Sequence, residues 1–311
     1  MPPTLKTSAK KLLNVLFLNK LTIRTFNRWY ENASSEIVKK IEPSLQPPSF
    51  DYTWKISVAG KPVRFTYKKG ESRIIFHFPL SYKKNDTPLK VLETILQNHY
   101  PPDNYYFDIG ANFGLRAIYY LTQKRPCILF EPNKDCNVIT RRLIAENNFD
   151  SISIVSNIVG SENRSSKFYL SNSSYVSSMS KEYVEEMNDL KEEIDVDQIT
   201  VDSFIESKGL KNKVSIIKID VEGFEYQVCQ GASQLLRSDN ISLSIEVLPT
   251  TRNRQDLFDL LRSAGYTIFC VDRKEELKLI RCAESFLFTN DSIDFFATND
   301  KSLLNKLEQF Q

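Results

Sequence analysis

The sequence predicts a doubly wound α/β fold, and three observations carry that expectation. After residue 103, short apolar strand-like runs alternate with helical stretches. One of these runs enters a glycine-containing turn, and the run after it ends in an acid. A later run, Val214-Ser215-Ile216-Ile217-Lys218-Ile219, is apolar enough for a strand covered on both faces.

Taken in order, residues 5–41 read as a basic amphipathic helix. Leu12, Leu16, Ile23, Phe26 and Trp29 recur at roughly helical spacing, and residues 1–50 hold eight Lys/Arg against three acids in a chain of net charge +2. Such a helix can lie on an anionic membrane, the alternative being that it packs on its own domain or a partner, so 5–41 are the expected peripheral membrane or partner contact. Pro43, Pro47 and Pro48 make a linker, which closes a first segment at about residue 50.

Residues 51–102 read as a lead-in unit. Strands are expected at 54–58, 63–67 and 74–78, with a turn at Lys69-Gly70-Glu71. A helix over 88–99 presents Val91, Leu92, Ile95 and Leu96 on one face and stops at Pro101-Pro102.

The main domain, 103–300, is expected to hold strands at 105–109, 127–131, 152–159, 214–220, 241–248, 266–272 and 293–298. Helices fall at 114–124, 134–148, 223–238 and 253–264. The last two strands are joined by a polar loop instead of a helix, which makes the final strand of the seven-stranded sheet antiparallel. Residues 160–213 break the alternation with a serine cluster, a charged helix-like stretch over 181–193, and Gln198-Ile199-Thr200-Val201-Asp202. An insertion of this size usually covers a site.

Composition narrows the function. At 41% hydrophobic and 12% aromatic residues the chain can fill a large core, and a net charge of +2 gives no case for nucleic-acid binding. Cys127, Cys136, Cys229, Cys270 and Cys282 are odd in number and show no C-x-x-C spacing. Buried, reduced thiols of a cytoplasmic enzyme are the simplest expectation. No run approaches the ~18 apolar residues of a membrane span. The apolar run at 12–18 is short and has no cleavage site, so it is not expected to be a signal peptide.

Two constellations carry chemistry. The first is Asp108-Ile109-Gly110-Ala111-Asn112-Phe113-Gly114, followed 23 residues after Asp108 by Glu131-Pro132-Asn133. Gly110 and Gly114 let the backbone turn sharply near a ligand, and an acid at the end of the next strand can accept both hydroxyls of a ribose. Asn112 stands where a pyrophosphate loop has its second glycine, and the charge of Asp108 would repel a phosphate. A cofactor with an adenosine ribose, no phosphate and a cationic centre fits better. S-adenosylmethionine has those properties, with Asp108, Gly110, Asn112, Gly114, Glu131 and Asn133 as its expected binding residues.

The second constellation is Lys218-Ile219-Asp220-Val221-Glu222-Gly223-Phe224-Glu225, an apolar strand ending in acids. Ligands of open α/β sheets sit beyond the carboxyl ends of the strands, and Asp108, Glu131, Asp220 and Glu246 all fall there. Helix capping would favour Asp220 or Glu222 as well, but it leaves Lys218 in an apolar strand unexplained. A lysine there needs a partner nearby.

These motifs, with Gln230-Gly231-Ala232, Leu235-Leu236 and Ser244-Ile245-Glu246-Val247, resemble the FkbM family of S-adenosylmethionine-dependent methyltransferases over about 103–300. Thr200-Val201-Asp202 stands where the family usually has T-L-D, and Phe224 where alanine is common. The resemblance implies a Rossmann-like domain and O-methylation of a hydroxyl on a sugar, glycan or secondary metabolite. The expected catalytic group is Asp220 or Glu222 as general base, with Lys218 setting their charge and Glu246 assisting. His77 and His99 lie outside the motifs. No resident metal is expected, the alternative being Mg²⁺ on Asp220, Glu222 and Glu246. The rival function is a non-catalytic protein that keeps the fold and docks through its N-terminal helix. The expected location is cytoplasmic, with the N-terminal helix as the one contact to a membrane.

Overall fold

The computed structural model describes residues 46–84, 88–172, 177–187, 189–249, 251, 253–272, 277–282 and 294–310. The basic helix expected at 5–41 lies outside them. The described residues form two units. One holds those before Thr87 together with Ala145–Asn147, and the other holds the remainder.

In the first unit, β1 (Tyr52–Val58) and β2 (Lys61–Tyr67) form an antiparallel hairpin that pairs Trp54 with Phe65 and Ile56 with Val63. The third strand expected here, 74–78, is instead the start of helix α1 (Arg73–Lys84). A short apolar run does not reveal its period on its own. The hairpin has one apolar face to cover, and α1 covers it: the Phe76 ring lies 5.4 Å from Trp54 and 5.5 Å from Tyr67. His77 is buried and accepts a hydrogen bond from Arg73 Nε at 3.1 Å.

The second unit opens with α2 (Pro88–His99) and β3 (Tyr105–Ile109), then α3 (Ala117–Thr122), β4 (Cys127–Phe130), α4 (Lys134–Asn147) and β5 (Ile152–Val155). The strands β9 (Val214–Ile219), β10 (Ser242–Glu246), β11 (Thr267–Asp272), β12 (Lys278–Arg281) and β13 (Asp294–Thr298) complete the sheet. Its order is β12-β11-β13-β10-β9-β3-β4-β5. From β10 to β5 all neighbours run parallel, while β13 is antiparallel to both β10 and β11. All seven expected strands are present, with the antiparallel one inserted between β10 and β11. The eighth, β12, forms a hairpin on the free edge of β11.

The inner parallel strands β3, β4 and β9 are buried on both faces, as their apolar runs require, while the edge strand β5 is half-exposed. Phe107, Ile109, Ile217 and Ile219 pack on one side with residues of α6 (Val201–Lys208), α7 (Glu225–Gln230) and α8 (Arg254–Ser263). On the other, Tyr106 stacks on Tyr120 of α3 at 4.1 Å. All five cysteines are buried and unpaired.

The insertion departs most from expectation. The strand expected over 152–159 breaks at Ser156-Asn157, because the Asn137 amide donates to Ser156 Oγ and the Asn157 amide to the Asp197 carbonyl. The chain leaves the main sheet there and continues as β6 (Ile158–Val159) in a small sheet of order β6-β8-β7. There β6 pairs with β8 (Leu190–Ile199), whose other edge pairs with β7 (Arg164–Ser171). The charged stretch read as one helix over 181–193 is a short α5 (Lys181–Glu186) followed by the start of β8. Ile194 and Val196 alternate with acids, and this period of two packs them with Phe168, Leu170 and Ile158. Thr200 caps α6, and the Asp202 carboxylate accepts from the N–H groups of Gln234 and Leu235. The Thr200-Val201-Asp202 motif thus ties the end of the insertion to the turn after α7.

Candidate functional site

The site is built from the carboxyl ends of β3, β4, β9 and β10. At the end of β3, Gly110 has φ +77°, and a Cβ there would overlap the carbonyl oxygen of Asp220. This contact sits beside the hydrogen bond from Asp220 N to Ile109 O, 3.0 Å, which closes the two strand ends together. Asn112 follows with φ +49°, and Gly114, φ +70°, leads the chain towards α3 over Leu129 and Thr140.

Glu131 holds the turn. Its Oε2 accepts from the N–H of Asn112 at 2.7 Å and its Oε1 from the N–H of Asn133 at 2.8 Å. One side chain therefore fastens the loop after β3 to the loop after β4. Burial pushes the Glu131 carboxyl up to about 7, against the pull of those two N–H groups. Each carboxylate oxygen keeps one further lone pair. Asn133 is itself buried and caps the first turn of α4, its Oδ1 accepting from Asp135 N at 3.0 Å.

The register of β3 against β9 sets Asp108 opposite Lys218. Lys218 Nζ lies 3.6 Å from Asp108 Oδ1 and donates to Asp220 Oδ2 at 2.9 Å. Asp108 is wholly buried, and neither of its oxygens is hydrogen-bonded. Desolvation raises its pKa while Lys218 lowers it. Asp108 thus stands behind Lys218, and Asp220, partly exposed, stands in front. The lysine that looked misplaced in an apolar strand has two carboxylate partners.

Glu222 follows with φ +54°, in the left-handed region that side chains other than glycine rarely enter. The insertion fixes it there. Ser178 Oγ donates to the Glu222 carbonyl at 2.9 Å, and Tyr183 Oη donates to Glu222 Oε2 at 2.8 Å. Burial, then the charge of Asp220, moves the Glu222 carboxyl up to about 8, and the Tyr183 hydrogen bond opposes them. Glu225 is fully buried, accepts from Gly223 N at 2.9 Å, and is pushed up to about 7 by burial. Glu246 ends β10 on the neighbouring strand, close enough for its charge to raise Glu222 further. No group of three or more His, Cys, Asp or Glu among the described residues is arranged to hold a metal ion.

Sequence reasoning missed three participants. Tyr183 and Ser178 gave no signal beyond an aromatic and a serine in a polar stretch. Arg116 did give one: a cation at the N-terminal end of α3 opposes the helix dipole, so an acid must be near. It pairs with Glu93 of α2 at 3.7 Å and acts electrostatically on Asp108 and Asp220. His99 belongs elsewhere. It meets Asp300 at 2.7 Å and Lys306 at 2.9 Å, beyond the end of β13 that pairs with the start of β10.

A family model for the methyltransferase FkbM domain matches residues 108–268, just over half of the chain. No curated protein matches. Similar solved structures include methyltransferase FkbM from Methylobacillus flagellatus KT, at 14% identity and TM-score 0.42, covering 72% of this chain and 53% of that one. The chain therefore spans about half the length of that relative. Another is SMU.1697c, a putative methyltransferase from Streptococcus mutans in complex with SAH, at 7% identity and TM-score 0.39, covering 68% and 96%. A third is the SAM-dependent methyltransferase from Agrobacterium tumefaciens, at 10% identity and TM-score 0.42, covering 79% and 69%. The family match runs from Asp108 through Glu131, the Lys218–Glu225 motif and Glu246 to Ile268 in β11, so the chain belongs to the FkbM methyltransferase family.

Proposed function

We propose that the protein is an S-adenosylmethionine-dependent O-methyltransferase acting on a hydroxyl of a sugar, glycan or secondary metabolite. The observation that carries this is the placing of two kinds of carboxylate at one end of the sheet. Glu131 is held by the N–H groups of Asn112 and Asn133, and it keeps a lone pair on each oxygen for a ribose diol. Asp220 and Glu222 lie at the end of β9, where they favour a cationic group and can accept a proton. The residues present fit S-adenosylmethionine: Glu131 would hold the ribose and the loop at 110–114 would lie against the nucleoside. When bound, the cofactor supplies a methyl group activated by a sulfonium, which leaves as a neutral thioether once an oxygen has taken the methyl.

The chain's own part is to orient the acceptor oxygen and remove its proton. Asp220 is committed to Lys218 through one oxygen, while Glu222 Oε1 takes no hydrogen bond among the described residues. Glu222 is therefore the better placed proton acceptor, and Asp220 with Lys218 orients. A cluster of acids suits a neutral, hydroxylated acceptor and repels an anionic one. Residues 5–41 would serve a docking role at a membrane or partner, and the enzyme would work in the cytoplasm.

Calorimetry with S-adenosylmethionine, then transfer of a labelled methyl group to a panel of hydroxylated acceptors, tests the proposal. Glu222→Gln should cut turnover by ~10²–10⁴ with cofactor affinity nearly unchanged. A protein that binds no S-adenosylmethionine refutes the assignment and leaves the docking function.

A further inference from the structure

We infer that Tyr183, carried by the insertion between β5 and β9, is a positioning residue that holds Glu222 in place and sets when it can accept a proton. The inference rests on the proposed role of Glu222.

The geometry has three parts. Tyr183 Oη donates to Glu222 Oε2 at 2.8 Å, which fixes one oxygen and leaves Oε1 for an acceptor. Ser178, itself buried, donates to the Glu222 carbonyl at 2.9 Å and so holds the strained peptide at φ +54°. The carrier is firmly seated. Val184, next to Tyr183, is fully buried, and Ser180 caps α5 by accepting from Tyr183 N at 3.2 Å. Ser178 also pairs through its backbone with Tyr169 of β7, in both directions. The insertion is thus a small sheet whose seat presents two hydroxyls to one residue of the site.

The groups that act most on Glu222 are Asp220, Glu246, Glu225 and Tyr183, with the Lys218 cation bound to Asp220 beside them. The three carboxylates disfavour a charge on Glu222, and the phenol favours one. Tyr183 is the one neighbour of these four that stabilises the proton-accepting form. With it the Glu222 carboxyl sits at about 8, so a minority of molecules is ionised near neutral pH, and without it that fraction would shrink further. The coupling is reciprocal: burial first, and then Glu222, raises the pKa of the Tyr183 phenol.

The test uses the full chain with ¹³C-labelled glutamate, titrated by NMR, with Glu222→Gln to assign the Glu222 signal. Tyr183→Phe should move the Glu222 midpoint upward by roughly one pH unit, with affinity for S-adenosylmethionine within two-fold. In Glu222→Gln, one tyrosine should ionise at lower pH than in wild type, read by tyrosinate absorbance. A Glu222 midpoint unmoved by Tyr183→Phe, or a loss of melting temperature alone, overturns the inference. Failure of wild type to bind S-adenosylmethionine would instead strike the proposed function, and the titration would still report on the Tyr183–Glu222 pair.

Discussion

If Glu131 holds the cofactor's ribose as proposed, cofactor affinity should depend on pH, and the sign follows from its surroundings. Burial lifts its carboxyl to about 7, so near neutrality the free protein divides between a protonated and an ionised Glu131. The two N–H groups of Asn112 and Asn133 and the two hydroxyls of a ribose are all donors, and donors favour the ionised form. Binding of S-adenosylmethionine there should therefore select the ionised form and release a proton wherever the pH lies below 7. Affinity should be flat above about pH 8 and fall about tenfold per unit below 7, reaching roughly 30-fold weaker at pH 5.5. Calorimetry from pH 5.5 to 8.5 measures this, and repeating it in buffers of different ionisation heat counts the released proton. Glu131→Gln removes the titration. Its amide also turns a donor toward one of the two N–H groups, so affinity should drop by ~1.5–3 kcal/mol at pH 8. A dissociation constant that is level across this range, or one whose slope survives Glu131→Gln, refutes the assignment of Glu131 to the ribose.

Two further perturbations read the frame behind the site. Lys218→Met strands the wholly buried Asp108 and should cost about 3–5 kcal/mol in urea unfolding, with most of the loss recovered in Lys218→Met/Asp108→Asn. An unchanged midpoint for the single variant would show that the pair does not matter to stability. Gly110→Ala forces a Cβ into the Asp220 carbonyl at φ +77°, so β3 and β9 must part, with a lower melting temperature and weakened S-adenosylmethionine binding together. A variant that melts and binds like wild type would show that the turn adapts freely.

The alternation of apolar runs and helices, the acid-tipped strands and the glycine turn are local patterns, so the sheet and the two motifs were legible in the chain itself. A buried strand must be apolar throughout, and a sharp turn against a neighbouring strand excludes a Cβ, as Gly110 does. Lys218 announced that it had a partner. Which partner was decided by the register of β3 on β9, a long-range pairing that sets Asp108 opposite it. The run at 74–78 could be strand or helix until the hairpin face of Trp54 and Tyr67 required cover. The charged stretch over 181–193 turns from helix to strand at Leu190 because β7 offers an edge and an apolar face to pair with. Tyr183 and Ser178 lie 39 and 44 residues from Glu222, and no spacing in the sequence links them to it. Only the folded insertion brings their hydroxyls to that carboxylate and its backbone, because a hydrogen bond depends on distance in space and not along the chain.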